Sequence, residues 1–86
     1  MNSKNNDINT LLVGLGFKLY ASGNGCHEWH KDTKNGVYQI NGIGLSRIES
    51  MEDEVVFSEF TSDCVSLYEK TYKSLNDLIS QEKRIK

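Results

Sequence analysis

Two cysteines and two histidines are the side chains best suited to chemistry in this 86-residue chain. Cys26, His27 and His30 fall within five consecutive residues, and Cys64 could complete a set of four ligands. Tetrahedral zinc needs all four donors at about 2.0–2.3 Å from one point. In an extended strand, Cys26 and His30 share a face about 13 Å apart, whereas His27 lies on the other face. We therefore expect ordinary strand residues, with no metal and no cofactor.

Cys64 could also act alone, because it lies near the N-terminus of a predicted helix and a helix N-terminus favours a nucleophilic thiolate. Its place on the apolar face of that helix indicates instead a small buried hydrophobic residue. The closely spaced glycine pairs do not form a phosphate-binding loop, because no Gly-Lys-Ser or Gly-Lys-Thr follows them. We expect turns and a bend at Gly23, Gly25, Gly42 and Gly44.

Charge is distributed unevenly along the chain. Residues 48–69 contain seven carboxylates and no Lys or Arg, so a net charge of −2 conceals a local charge of −7 between flanks of +2 and +3. Such a segment attracts basic partners and repels phosphate backbones. The alternative is a solvated loop whose carboxylates protect strand edges from unwanted pairing. We predict a partner-binding surface formed by Glu49, Glu52, Asp53, Glu54, Glu59 and Asp63.

Length and composition predict one globular domain over residues 1–86, with residues 1–6 frayed. A hydrophobic content of 37% and a charged content of 26% argue against a wholly disordered chain. The longest apolar stretch, residues 11–17, is too short to cross a bilayer and lacks the features of a signal peptide. Two cysteines are too few for the disulfide framework of a small secreted domain. We expect a cytoplasmic protein with free thiols and no membrane contact.

The spacing of apolar residues predicts a short helix near the N-terminus. Residues 8–15 carry apolar side chains at helical spacing. Asn6 or Asp7 is the predicted N-cap, because short polar side chains accept hydrogen bonds from the first free N–H groups of a helix. Gly16 is the predicted left-handed C-cap. A helix this short must be stabilised by packing rather than by propensity.

A hairpin follows, with strands predicted at residues 17–21 and 26–34 around a turn at 23–25. Asn35 and Gly36 are the strongest hairpin signal, because a type I′ turn needs positive φ at both central residues. The register that this turn predicts pairs Lys34 with Val37, Lys31 with Ile40, and Trp29 with Gly42. The side chains on the face expected to meet the helices are then Trp29, Tyr38 and Ile40.

The second half of the chain is predicted to contain one strand, residues 55–60, and one long helix, residues 64–82. Apolar residues fall on one face of that helix, and Thr61, Ser62 or Asp63 is its predicted N-cap. The predicted fold is α+β, in the order α-β-β-β-(β)-α. It contains a small antiparallel sheet of three to four strands, with an N-terminal and a C-terminal helix packed on one face.

In size, layout and charge, the chain resembles the small inhibitors encoded by phages and mobile elements, including anti-CRISPR proteins. Many of those inhibitors occlude nucleic-acid sites with acidic surfaces. The resemblance implies a non-enzymatic protein-binding module or inhibitor that uses the 49–69 segment against a basic partner, such as a nucleic-acid-binding protein. It implies no direct contact between this chain and nucleic acid, and no catalytic residues.

A second resemblance suggests an enzyme instead. Two segments, LLVGLGFKL at residues 11–19 and GCHEWH at residues 25–30, are similar to the N-terminal half of HicA-type mRNA interferases. Those toxin-type ribonucleases have a fold like double-stranded-RNA-binding domains and a strand histidine after a Gly-Ser-His motif. The similarity implies that His27 is the general acid/base, with Cys26 in place of the serine. An RNA-cleaving surface needs Lys and Arg around His27, whereas an inhibitor needs its carboxylates grouped on one exposed face.

Overall fold

The computed structural model describes residues 3–21 and 26–85. Its elements are helices α1 (Ser3–Gly14) and α2 (Leu75–Gln81), strands β1 (Lys18–Ala21), β2 (His27–Asp32), β3 (Gly36–Gly42), β4 (Val55–Thr61) and β5 (Ser66–Tyr72), and 3₁₀ turns at Ile43–Leu45 and Lys83–Ile85. The strands form one antiparallel sheet in chain order, β1-β2-β3-β4-β5. The predicted α+β class is confirmed, and the sheet has five strands rather than three to four.

The hydrophobic core lies between one face of the sheet and the two helices. Trp29, Ile40 and Phe57 stand opposite one another across β2, β3 and β4 and form the centre of that face. Side chains from both helices pack against the same cluster, so one core holds the whole sheet. Its buried members are Ile8, Leu12, Phe17, Trp29, Ile40, Ile48, Val55, Phe57, Tyr72, Leu75, Leu78 and Ile85.

Helix α1 ends as predicted but begins earlier. Gly16 has a φ of 96°, the left-handed conformation expected of a C-cap glycine, and its N–H donates to the Val13 carbonyl at 2.9 Å. The helix starts at Ser3, so the N-cap predicted at Asn6 or Asp7 is wrong. The predicted fraying of residues 1–6 stays a prediction. The predicted turn at 23–25 lies outside the described residues.

The β2–β3 hairpin keeps the predicted face but not the predicted register. Trp29 lies opposite Ile40, not opposite Gly42. A shift of two residues leaves every side chain on its original face, because side chains alternate along a strand. Trp29, Tyr38 and Ile40 therefore face the helices as predicted, and Trp29 and Ile40 are buried.

Gly36 explains the difference in register. The Thr33 N–H donates to the Gly36 carbonyl at 2.8 Å, so the turn centres on Lys34 and Asn35 rather than on Asn35 and Gly36. A Cβ atom at Gly36 would collide with the backbone carbonyl of Phe60 on β4. Glycine is thus required where β3 and β4 approach each other, not for a left-handed turn.

The largest error of the sequence prediction concerns residues 64–82. Ser66–Tyr72 is the edge strand β5, paired with β4, and α2 covers only Leu75–Gln81. Lys70 lies opposite the buried Phe57, on the helix side of the sheet, where its Nζ atom is 4.9 Å from the centroid of the Tyr72 ring. A lysine at this position interrupts the apolar alternation of the strand, so the helical spacing of the remaining apolar residues dominates the pattern.

Helix α2 has an N-cap that the sequence analysis placed elsewhere. The Ser74 side chain accepts a hydrogen bond from the Asp77 N–H at 3.1 Å, and Leu75 and Leu78 are fully buried beneath this cap. The acidic Asp77 lies in the first turn, where it suits the positive end of the helix dipole. The C-terminal helix therefore packs on the core as predicted, but over a much shorter span.

The predicted N-cap residues instead form the β4–β5 turn. The Thr61 hydroxyl accepts hydrogen bonds from the N–H groups of Asp63, at 3.2 Å, and Val65, at 3.1 Å. Cys64 occupies a left-handed conformation in this turn, with a φ of 66°, and it is exposed. The predicted burial of Cys64 is wrong because the helix that would have buried it does not form.

Candidate functional site

Four of the six predicted partner-binding carboxylates lie in the long connection between β3 and β4. We call residues 49–54 the acidic loop. Glu49, Asp53 and Glu54 line one surface cavity of about 440 Å³, and Arg47 lines it from the preceding segment. Glu52 belongs to the same loop and is exposed. The acidic loop therefore brings four carboxylates together within a short stretch of surface.

The backbone of the acidic loop is held by its own polar groups. The Asp53 carboxylate accepts hydrogen bonds from the N–H groups of Glu49, at 2.9 Å, and Ser50, at 3.1 Å. The Ser50 hydroxyl accepts from the Glu52 N–H at 3.1 Å. Because a carboxylate that accepts two backbone N–H groups closes a turn efficiently, Asp53 has a structural role inside the loop. Glu49, Glu52 and Glu54 are the carboxylates that remain most exposed.

Helix α2 anchors the acidic loop from the other side. The Asn76 N–H donates to the Met51 carbonyl at 3.0 Å, and the Asn76 side-chain amide donates to the Glu52 carboxylate at 3.3 Å. Met51 itself packs against the hydrophobic core. The loop is thus attached to the folded body at its centre as well as at its two ends.

The structure places the other two predicted residues elsewhere. Glu59 lies on the helix side of β4, where its carboxylate is 3.8 Å from the Arg84 guanidinium and its side chain is 28% exposed. Asp63 lies in the β4–β5 turn, at the opposite end of β4 from the acidic loop. A strand of this length separates the two ends by about 20 Å. The six carboxylates therefore do not form one continuous surface.

A cluster around Arg84 was missed by the sequence analysis. The Arg84 guanidinium contacts both oxygens of the buried Glu82 carboxylate at 3.2 Å and stacks 4.1 Å from the Tyr68 ring centroid. The Tyr72 hydroxyl donates to the same carboxylate at 3.2 Å. Burial, reinforced by the charge of Glu82, raises the pKa of Tyr72 to about 12. These contacts attach the chain after α2 to β5 and have a structural role.

His27, the residue implied by the ribonuclease resemblance, lies on the helix side of β2. It is half-buried and lines a cavity of about 180 Å³ together with Asn9, Leu19, Trp29, Arg47 and Ile48. The Nδ1 atom of His27 is buried and has no hydrogen-bond partner among the described residues. Arg47 is the only cationic side chain in this lining set, so the basic surface expected around a nuclease histidine is reduced to one residue.

His30 lies on the other face of the sheet, away from the helices. Its Nε2 atom is 2.8 Å from the Glu28 carboxylate, and the Tyr20 ring lies 4.5 Å from the imidazole centroid. The two histidines thus face opposite sides, as the strand prediction required. Within residues 3–21 and 26–85, no group of three His, Cys, Asp or Glu side chains is arranged to hold a metal ion.

The helices in the described ranges lack the length and apolar character needed to cross a membrane. Comparison with protein families, with curated proteins and with solved structures finds no match for this chain. Function is therefore inferred from the placement of the chain's own side chains.

Proposed function

We propose that this chain is a non-enzymatic protein-binding module that engages a basic surface of another protein through the acidic loop. The observation that carries the proposal is the convergence of Glu49, Asp53 and Glu54 on one surface cavity, with Glu52 exposed on the same loop. A concentrated negative surface attracts a positively charged partner and accelerates association.

The internal hydrogen bonds of the acidic loop support this proposal. A flexible loop loses conformational entropy when it binds, whereas a loop already ordered in the free protein loses much less. Asp53 closes the loop through two backbone N–H groups, and Asn76 connects it to α2. The carboxylates of Glu49, Glu52 and Glu54 are therefore presented by an ordered backbone, as a docking surface requires.

The proposed partner is a protein with clustered Lys and Arg, such as one that binds nucleic acid. Occupation of such a cluster by the acidic loop would block its access to phosphate groups, which is how a small inhibitor of the phage or anti-CRISPR kind would act. In this role the chain needs no catalytic group, and the acidic loop carries the specificity through its shape and charge.

The test is a charge reversal matched by a control of equal charge. The loop variant carries Glu49→Lys and Glu54→Lys. It leaves Asp53 intact because its carboxylate closes the loop, and Glu52 intact because its carboxylate accepts from Asn76. The control variant carries Asp32→Lys and Glu69→Lys, two exposed positions outside the loop. Each variant changes the net charge by the same amount, so any difference between them reports position rather than total charge.

Affinity purification from host lysate, with wild type and both variants as bait, should identify a protein that wild type and the control retain and the loop variant loses. Measured with the purified partner, the loop variant should bind at least about tenfold more weakly, and the loss should appear mainly in the association rate. Equal retention by the loop variant and wild type would refute the acidic loop as the docking surface.

Ribonuclease activity is the second candidate function, and the presence of His27 and Arg47 in one cavity favours it. The acidic loop argues against it, because Arg47 also borders the carboxylates of that loop, which would repel an RNA backbone. Incubation of the purified protein with single-stranded and double-stranded RNA tests for ribonuclease activity. RNA cleavage by the wild type that is lost in His27→Ala would favour the ribonuclease over the protein-binding module. RNA that stays intact would exclude the ribonuclease.

A further inference from the structure

The face of the sheet that points away from α1 and α2, which we call the outer face, is a surface that the proposed function does not use. Both helices pack on the hydrophobic core at the other side of the sheet. Strand pairing places one polar row across the outer face, from one edge of the sheet to the other. In strand order, the members of this row are Lys18, His30, Gln39, Ser58 and Glu69.

The two ends of the row carry opposite charges. Lys18 lies on the edge strand β1 and Glu69 on the edge strand β5, and both side chains are exposed. Neither residue takes part in an ion pair among the described residues. Within one chain they are about 19 Å apart, because neighbouring strands are spaced by about 4.8 Å. A surface that carries the same row in reverse order would pair both charges at once.

A second copy of this chain supplies the reversed row when a two-fold axis runs parallel to the strands over β3, the central strand. Such an axis reverses the order of the strands and preserves their direction, so β1 of each copy lies over β5 of the other. Lys18 of each copy then faces Glu69 of the other. A two-fold axis along the row would instead place Lys18 against Lys18 and Glu69 against Glu69.

The centre of the outer face can be covered without loss of its hydrogen bonds. The Gln39 amide donates to the Asn41 side chain at 3.0 Å, and the Asn41 amide donates to the Gly42 carbonyl at 2.7 Å. The His30 ring lies 2.8 Å from the Glu28 carboxylate. Because these groups already have partners within the chain, a covering surface does not have to supply new ones.

Apolar side chains lie beside the polar row. Val37 and Phe60 stand opposite each other on β3 and β4 and line a surface cavity of about 280 Å³, and Tyr20 on β1 is 52% exposed. Asp32 ends β2 and is exposed, so it lies at the margin of the face, where it can stay in water. Five strands of about 20 Å give each face an area of about 400–500 Å². Two such faces approach the area of about 1,000 Å² at which specific interfaces begin, so the contact is weak.

We propose that two copies of this chain associate through their outer faces into a two-fold symmetric dimer, in which Lys18 of each copy pairs with Glu69 of the other. The two sheets pack face to face at about 10 Å, as in a β-sandwich, and a lysine and a glutamate side chain together span that distance. Asn76 holds the acidic loop beside α2, on the other side of the sheet. Each copy therefore keeps its acidic loop accessible.

The test is a charge exchange followed by analytical ultracentrifugation of the purified chain over a wide range of protein concentrations at low ionic strength. Wild type should show a reversible equilibrium between monomer and dimer. Lys18→Glu and Glu69→Lys should each weaken dimerisation at least about tenfold, because like charges then face each other at both ends of the row. An equimolar mixture of the two variants should dimerise as wild type does, since each copy then meets the opposite charge.

Two controls separate position from total charge. Glu69→Lys brings the net charge from −2 to 0, which would strengthen a dimer limited by overall repulsion, whereas we expect a weaker dimer. Lys83→Glu matches Lys18→Glu in charge, but Lys83 is exposed in the 3₁₀ turn after α2, away from the outer face. It should change the dimerisation constant by less than about twofold. Lys18 and Glu69 are exposed, so neither variant is expected to unfold.

Dimerisation and partner docking can fail independently. The loop variant keeps Lys18 and Glu69 and should still dimerise, although its acidic loop no longer docks. The control variant of the docking experiment carries Glu69→Lys, so it should be monomeric and still retain the partner.

Methyl NMR locates the contact between the two copies. The signals of Val37 and Val56, both on the outer face, should shift with protein concentration. The signals of Val13, which is 60% exposed on α1, should stay constant. Three results would each overturn the proposal: a wild type that is monomeric at every concentration, a mixture of the two variants that dimerises no better than either alone, or shifts at Val13 without shifts at Val37 and Val56.

Discussion

Substitution of Gly36 tests the register on which the β3–β4 pairing depends. A Cβ atom at Gly36 would meet the backbone of Phe60 and Thr61, and a backbone cannot rotate aside as a side chain can. The ends of β3 and β4 would have to separate, with loss of the Gly36–Thr61 pair. Lost hydrogen bonds cost about 0.5–1.5 kcal/mol each, and crowding costs about 1–3 kcal/mol.

Replacement of glycine by alanine also restricts the unfolded chain, which offsets the loss by about 0.4–1 kcal/mol. We therefore expect Gly36→Ala to lower the free energy of unfolding by about 2–3 kcal/mol. Urea denaturation followed by the fluorescence of Trp29, the single tryptophan of the chain, measures this change. The midpoint should fall while the slope with urea stays constant, as for a change in stability alone.

Two further variants distinguish a steric requirement for Gly36 from a left-handed turn and provide a control. Gly36→Asn should be as damaging as Gly36→Ala, because any Cβ atom meets the Phe60 carbonyl. If Gly36 were instead a left-handed turn residue, asparagine would be tolerated much better than alanine. Gly14→Ala is the control, since nothing lies within 4 Å of a Cβ atom there, and it should stabilise α1 by up to about 1 kcal/mol. If Gly36→Ala proved as stable as the wild type, the close approach of β3 and β4 would be refuted.

Two further predictions concern the core. Leu75→Ala should lower the free energy of unfolding by about 2–5 kcal/mol, because Leu75 is fully buried. Leu67→Ala is the control, since that side chain is 59% exposed, and it should change the same quantity by no more than about 0.5 kcal/mol in the urea assay. Equal effects of the two substitutions would contradict the packing of α2. Because the pKa of Tyr72 is raised from 10.0 to about 12, its contribution to stability should be complete below about pH 10 and disappear as the pH rises toward 12. Ultraviolet titration should show a late-ionising tyrosine that is absent in Tyr72→Phe, and the lack of such a late phase in the wild type would contradict the burial of Tyr72 beside Glu82.

The fold class could be predicted because the local signals through β4 place each helix and strand close to where it forms, although the Asn35-Gly36 signal gave a register that is wrong by two residues. The spacing in α1, the left-handed Gly16 and the shared face of Trp29 and Ile40 are consequences of short-range geometry. The prediction failed at β5 because Lys70 occupies a helix-side position and a register shift between Glu59 and Phe60 disturbs the alternation. Two local signals pointed the other way: tyrosine and threonine favour strands, and Ser74 followed by Asp77 resembles the start of a helix.

The two candidate sites also differ in how far the sequence could predict them. The acidic loop could be predicted, since its carboxylates are neighbours in the sequence and a loop keeps them neighbours in space. The cavity at His27 could not, because Asn9, His27 and Arg47 are far apart in the sequence and meet only once the sheet and α1 are assembled. The pairing of Glu59 with Arg84 depends on the chain returning to the sheet after α2, for which no short-range pattern exists.

The strand order β1-β2-β3-β4-β5 also determines how the chain can reach its native state. Each strand pairs with the one made just before it, so sheet growth needs only contacts of low sequence separation, and such topologies fold faster than sheets with distant pairings. The longest closure is the link of residues 43–54, and lengthening a loop raises its entropic cost only slowly. The absence of proline removes the slow isomerisation phase from refolding. Because Leu75, Leu78 and Ile85 complete the core, a chain emerging from the ribosome can assemble its sheet first and gain cooperative stability only when its last helical segment arrives.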